Sequence, residues 1–210
     1  MKVAVSFIKS IHNEKDTIKL INETTADYIH VDLMDGKFTE NKNYTFSEIQ
    51  NILKNSTKEL DVHLMVENPL KYIKDFALLN TAYITFHLEA VKDIDTVINE
   101  IHSYGIRCGI SIKPETSVDK LKPYLNKIEQ VLIMSVEPGK GGQEFIFDMT
   151  QKINSLSLIE NRNFIISVDG GINNETINHV QNADMVVSGS YICLSNNYQN
   201  QIDMLKRISY

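Results

Sequence analysis

Tyr28-Ile29-His30-Val31-Asp32-Leu33-Met34-Asp35-Gly36 sets a histidine and a carboxylate two residues apart at the end of an apolar run. Side chains two apart on a β-strand share a face, so His30 and Asp32 project together while Val31 and Leu33 pack behind them. Met34-Asp35-Gly36 ends the run. Further along, Leu60-Asp61-Val62-His63-Leu64-Met65-Val66 places His63 in a second strand of the same layout, bounded by Glu67-Asn68-Pro69. Two strands that each carry a ligand-capable side chain invite a common centre.

The same alternation extends along the chain. Short β-branched runs at residues 3–8, 28–33, 60–66, 82–86, 106–112, 130–136, 164–168 and 184–187 read as strands. Polar segments with apolar residues at helical spacing lie between them, at 16–24, 47–55, 70–79, 94–103, 118–125, 148–158 and 175–181, and residues 200–208 close the chain as a helix. Thr45 before Ser47-Glu48, the Asn68-Pro69 pair, and Lys113 to Ser117 supply helix starts. Strands separated by helices and not by two-residue hairpin turns pair in parallel through right-handed crossovers. Eight such units close most simply into a single (β/α)8 barrel of α/β class spanning residues 1–210. A doubly wound open sheet is the runner-up, but the GxGxxG fingerprint it would carry after its first strand is absent.

Composition narrows the function classes. A chain of 210 residues with 42% hydrophobic content buries a substantial core and fits one domain. A net charge of -6 without a long basic block argues against a nucleic-acid partner. No run approaches the about 20 apolar residues of a membrane span, and the apolar start at residues 1–8 is too short for a signal peptide. A soluble cytoplasmic protein without a membrane partner is expected. Cys108 and Cys193 lie far apart, fit no CxxC motif, and read as reduced, packed thiols.

In a (β/α)8 barrel the chemistry gathers at the C-terminal ends of the strands. Ser6, His30, Asp32, His63, His87, the loop from Glu137 to Gln143, Asp169-Gly170-Gly171 and Ser188-Gly189-Ser190 all fall there. Glycine-rich turns after consecutive late strands can aim several N–H groups at a phosphate, and the last two strands are the expected place for one. His30, Asp32, His63 and Asp169 offer two imidazoles and two carboxylates, a set suited to one divalent ion such as zinc, iron(II), manganese or cobalt. Without thiolate the set does not resemble a structural zinc site. These residues describe a metal-assisted barrel enzyme acting on a phosphorylated small molecule.

Five ordered motifs sharpen this reading: His30 to Phe38, Asp61 to Val66, Met134 to Ile146 through Glu137-Pro138-Gly139-Lys140-Gly141-Gly142-Gln143, Val168 to Asn173, and Ser188 to Ile192. Together they resemble the ribulose-phosphate 3-epimerase family, across almost the whole chain. The resemblance implies a TIM barrel of the ribulose-phosphate-binding type that interconverts D-ribulose 5-phosphate and D-xylulose 5-phosphate in the pentose phosphate pathway. It implies Asp32 and Asp169 as the two acid/base groups on opposite sides of a planar enediolate, with His30 and His63 completing the metal ligands. Ser6, His63, Gly139, Lys140, Gly141, Gly142, Asp169, Gly170, Gly171, Gly189 and Ser190 match substrate-contact positions. Met34, Met65 and Met134 match methionines beside the reacting centre. His87 with Glu89 matches a supporting segment. Homo-oligomers occur in the family.

The chain departs from the pattern in three places. Ser6-Phe7-Ile8-Lys9-Ser10-Ile11 lacks the usual second serine and nearby aspartate, and Phe38-Thr39-Glu40-Asn41 stands where valine-proline-asparagine is usual, which predicts a looser second loop. Lys140 replaces a phenylalanine, and its ammonium either reaches the phosphate or stays in solvent. An epimerase for D-allulose 6-phosphate and an inactive sugar-phosphate-binding homologue are the alternatives. The second glycine of Asp169-Gly170-Gly171 favours the pentose. His12, His102 and His179 are expected to face solvent.

Overall fold

The computed structural model describes residues 1–207. Its strands β1 (Lys2–Ser6), β2 (Tyr28–Met34), β3 (Leu60–Met65), β4 (Thr81–His87), β5 (Arg107–Ile112), β6 (Gln130–Met134), β7 (Ile165–Asp169) and β8 (Met185–Ser188) pair in chain order. All pairs are parallel, and β8 returns to β1 with Val5 beside Ser188, so the barrel expected from the alternation is closed. Around it run α1 (Glu14–Asn22), α2 (Phe46–Ile52), α3 (Leu70–Ala77), α4 (Ile94–Ser103), α5 (Met149–Ser157), the short α6 (Ser190–Cys193) and α7 (Tyr198–Arg207). Residues 200–207 of the expected last helix lie within α7, and Ile208 lies outside the described residues.

The two faces of each strand do different work. Val31, Leu33, Val62 and Leu64 point outward into the main apolar core with helix residues such as Ile18, Ile49 and Ile73, all buried. Burying each such side chain contributes about 1.5–3 kcal/mol. The inward faces form a smaller cluster of Ala4, Tyr28, Tyr83, Leu132, Met134, Met185 and Val187. At the N-terminal end of the barrel Tyr28 and Tyr83 meet edge to face, with centroids 5.8 Å apart. The Arg107 guanidinium lies 4.0 Å from the Tyr83 ring centroid, and Lys2 Nζ donates to the Tyr28 hydroxyl at 3.1 Å. This plug leaves the opposite end for chemistry.

Local signals act where they were read. Thr45 caps α2 in a reciprocal capping box, its hydroxyl accepting from the Glu48 N–H while the Glu48 carboxylate accepts from the Thr45 N–H. Two expected helices fail. Residues 118–125 form separate 3-10 turns, Val118–Leu121 and Leu125–Lys127, because Pro123 lacks an N–H and crowds the preceding turn. Residues 175–181 reduce to the turn Thr176–His179, opened by Asn173, whose side chain accepts from the N–H groups of Glu175 and Thr176. Among the described residues no helix is long and apolar enough to cross a membrane.

Candidate active site

The register of β2 on β3 sets His30 beside Asp61 and Asp32 beside His63. His30-Val31-Asp32 and Asp61-Val62-His63 thus run in opposite chemical order, and their inward side chains form a checkerboard of imidazole and carboxylate. His30 Nδ1 lies 2.7 Å from Asp61 Oδ2, and His30 Nε2 is 3.2 Å from Asp32 Oδ1. His63 Nδ1 stands 3.1 Å from that same Asp32 oxygen. From β7, Asp169 Oδ2 comes within 3.8 Å of His30 Nε2 and 3.7 Å of His63 Nδ1.

The four residues expected to hold a metal therefore converge, with one ligand atom from each lying within 4.8 Å of all the others. Asp32, Asp61 and Asp169 bring three carboxylates together, and the ion pairs recorded for them among the described residues are with histidine, not with lysine or arginine. Burial alone would lower the His30 pKa, but the Asp32 and Asp61 carboxylates hold it well above the ordinary value. Burial would likewise raise Asp32, yet His30 and His63 keep it well below the usual carboxylate range. Burial and the Asp32 charge push Asp169 up to about 6, against the pull of the two histidines. A buried anionic cluster with two neutral-capable nitrogens fits a divalent cation, which would offset the carboxylate repulsion.

Above this cluster opens a cavity of about 380 Å³. Asp32 and Asp169 reach its wall, whereas His30 and His63 are 0% exposed and support the wall from below. Met34, Met65 and Met134 line the cavity as the resemblance implies, and Ser6, Gly139, Lys140, Gly141, Gly142, Gly170, Gly171, Gly189 and Ser190 line it too. Gly171 has φ +66°, and a Cβ there would stand 2.7 Å from the Phe145 nitrogen. Only glycine follows that path without strain. Ser135 fixes the same turn, its hydroxyl donating to the carbonyls of Asp169 and Gly170 at 2.9 and 2.7 Å. Ser188 Oγ donates to the Ile172 carbonyl at 2.9 Å, tying the last two loops together.

The altered second loop is held against the glycine loop. Thr39 is buried and packs on Gly139, while Asn41 Nδ2 donates to the Gly139 carbonyl at 2.8 Å. Gln143 Nε2 bridges the carbonyls of Glu137 and Lys140 at 2.6 and 2.8 Å. Lys140 is exposed at the rim, and Lys9 from the altered first loop lies against Gly142. His87 sits behind His63, with the two Nε2 atoms 2.9 Å apart, and its Nδ1 is 3.4 Å from Glu89 Oε2. Burial lowers the His87 pKa to about 4. His12, His102 and His179 are exposed, as expected. Residue reading assigned no role to Asp61 or Ser135, although Asp61 stands in the same i, i+2 relation to His63 as His30 does to Asp32.

Residues 2–193 match the ribulose-phosphate 3 epimerase family. A protein of Helicobacter pylori named ribulose-phosphate 3-epimerase is 37% identical, over 99% of this chain and 98% of its own length. The cytoplasmic isoform of ribulose-phosphate 3-epimerase from Oryza sativa is 38% identical, over 80% of this chain and 75% of its own length. Among solved structures, 3-hexulose-6-phosphate synthase from Salmonella typhimurium superposes with a TM-score of 0.67 at 16% identity, over 100% of this chain and 98% of that one. That likeness concerns the fold alone.

Proposed function

This chain belongs to the ribulose-phosphate 3-epimerase family, and we propose that it interconverts D-ribulose 5-phosphate and D-xylulose 5-phosphate by proton transfer between Asp32 and Asp169. The observation that carries this reading is the pairing of two carboxylates, buried Asp32 from β2 and half-buried Asp169 from β7, on the wall of a cavity lined by glycine-rich loops. Epimerisation next to a ketone removes a carbon-bound proton from one face and returns one to the other. One carboxylate takes the C3 proton and becomes the acid, leaving a planar enediolate. The other gives its proton to the opposite face and is left ionised, so the pair exchanges roles in the reverse reaction.

His30, Asp32, His63 and Asp169 would hold the divalent cation, for which we assign zinc ahead of iron(II), manganese or cobalt. When bound, such an ion supplies Lewis-acid stabilisation of the negative charge that develops on the substrate oxygens. Met34, Met65 and Met134 exclude water from that charge with apolar, polarizable walls. The turns at Gly170-Gly171 and Gly189-Ser190 hold the phosphate through backbone N–H groups, with the loop from Gly139 to Gly142 covering the sugar. We assign the reaction to the pentose phosphate pathway and to the cytoplasm, the compartment for which the Oryza sativa relative is named.

The test is incubation in deuterated water with ribulose 5-phosphate and, separately, allulose 6-phosphate, before and after chelation and metal restoration. Metal-dependent deuterium incorporation at C3 with epimerisation, faster for the pentose, is the expected result. Faster turnover of the hexose would assign the allulose 6-phosphate reaction instead. No exchange on either substrate by metal-loaded protein overturns the epimerase reading.

A further inference from the structure

Asp61 is a carboxylate at 0% exposure that takes no part in the proton transfer proposed above. Both of its oxygens are engaged: Oδ2 lies 2.7 Å from His30 Nδ1, and Oδ1 accepts from Gln130 Nε2 at 3.2 Å. Gln130 Nε2 also donates to Thr85 Oγ1 at 3.1 Å, so the amide that orients Asp61 is itself held from β4. A charge removed from water is costly unless it is paired and hydrogen-bonded, and the ion pair recorded for Asp61 is with His30.

We propose that Asp61 is a positioning residue that fixes the orientation and tautomer of His30 toward the cation centre. A neutral imidazole carries one N–H, and a carboxylate against Nδ1 decides where that proton resides. The proton on Nδ1 leaves the Nε2 lone pair free. Nε2 is the atom that faces Asp32 Oδ1 at 3.2 Å and Asp169 Oδ2 at 3.8 Å. A carboxylate behind a ligating imidazole also raises its donor strength.

His63 is supported differently. Its Nδ1 faces the centre, and its Nε2 meets the ring of His87, whose own Nδ1 stands 3.4 Å from Glu89 Oε2. The two histidine donors are therefore unequal: His30 is backed by a short contact to an anion, His63 by an imidazole. Asp61 makes His30 the stronger of the two. This inference rests on reading the four residues as a cation centre, and its test separates the two claims.

Zinc affinity is measured without substrate, by competition with a chromophoric chelator, for the wild-type protein and for Asp61→Asn, which keeps an acceptor oxygen and the side-chain shape but removes the charge. The expected result is zinc binding about 10–100-fold weaker in the variant, with unchanged circular dichroism. Binding within twofold of wild type in a folded Asp61→Asn overturns the role of Asp61 and leaves the centre standing. Absence of zinc binding by the wild type overturns the centre itself. A second measurement does not depend on the variant folding: nitrogen NMR of the zinc-loaded wild type with 15N-labelled histidine. Nε2 coordination with a protonated Nδ1 at His30 supports the proposal, and Nδ1 coordination refutes it.

Discussion

Ser6 Oγ donates to Asp32 Oδ2 across 3.0 Å, on the carboxylate oxygen that neither imidazole touches. Asp32 is therefore divided, with Oδ1 turned to His30 and His63 and Oδ2 turned to the hydroxyl at the end of β1. Replacing Ser6 with alanine removes a hydrogen bond to a charged group, worth roughly 1.5–3 kcal/mol. The expected outcome for Ser6→Ala is a fall in kcat of about tenfold or more with unchanged zinc content, read by a coupled epimerase assay and by metal analysis. Wild-type kcat would show that the bond does not orient the reacting oxygen.

Asp32→Asn and Asp169→Asn each remove one of the two proposed proton carriers. Loss of a positioned general acid or base costs about 10²–10⁴-fold, so both variants should fall by at least that much in kcat. Each variant is assayed after its metal content is matched to wild type, because both residues are also donors. Full activity in either one would remove that residue from the proton path.

Gly171→Ala forces a side chain into positive φ and against the Phe145 backbone. The turn must shift, and with it the N–H groups at the rim. A rise in KM exceeding the change in kcat is expected, together with a loss of about 1–3 kcal/mol in a denaturant titration. Unchanged KM would separate this turn from substrate binding.

Glu89 gives a test in acid. Partial burial acts to raise its pKa, but hydrogen bonds from His87, Thr116 and the Lys113 N–H bring it down to about 2 from an ordinary 4.5. The folded-state value is the lower one, so the stability that Glu89 contributes is present above about pH 4.5 and is lost as pH falls toward 2. The difference in melting temperature between wild type and Glu89→Gln should be largest near neutrality and close as pH drops through that window. A difference independent of pH would mean that the charge of Glu89 contributes nothing.

Zinc at a hundred times its dissociation constant should stabilise the protein by about 2.7 kcal/mol relative to the chelated form. For a chain of this size that is a rise in melting temperature of roughly 5–10 °C, measurable by calorimetry. His63→Ala should reduce the rise; an undiminished rise would place zinc elsewhere.

The barrel was legible because period-2 runs and helical segments alternate without hairpin turns, and a parallel sheet of eight units has one simple closure. The four converging residues were legible because strand spacing gives a shared face and strand ends give a shared mouth. Asp61 was not legible as a functional group, since same-face spacing does not say which residue of β2 it meets; that requires the register of β2 on β3. Ser135 was hidden for a similar reason, because its acceptors are carbonyls on β7 and the loop after it. Residues 118–125 carry a helical pattern despite Pro123, because apolar spacing at i and i+3 suits a 3-10 turn as well as an α-helix. The contacts of Thr39 and Asn41 with Gly139 join loops far apart in sequence, beyond what either loop discloses alone.

Asp32 and Asp169 lie at one end of the cavity with Asp61 buried behind them, and the glycine turns lie toward the other. A bound molecule therefore meets a vertical gradient. On the proposed function, an anionic group is repelled from the floor unless a cation is already seated there, and the N–H groups of the glycine turns receive it. A molecule with one charged terminus and one neutral polyol terminus has a single favourable way in, charged end uppermost. On that reading the barrel distinguishes head from tail before any group is recognised in detail, and an uncharged sugar of the same shape would lose its compass as well as its grip.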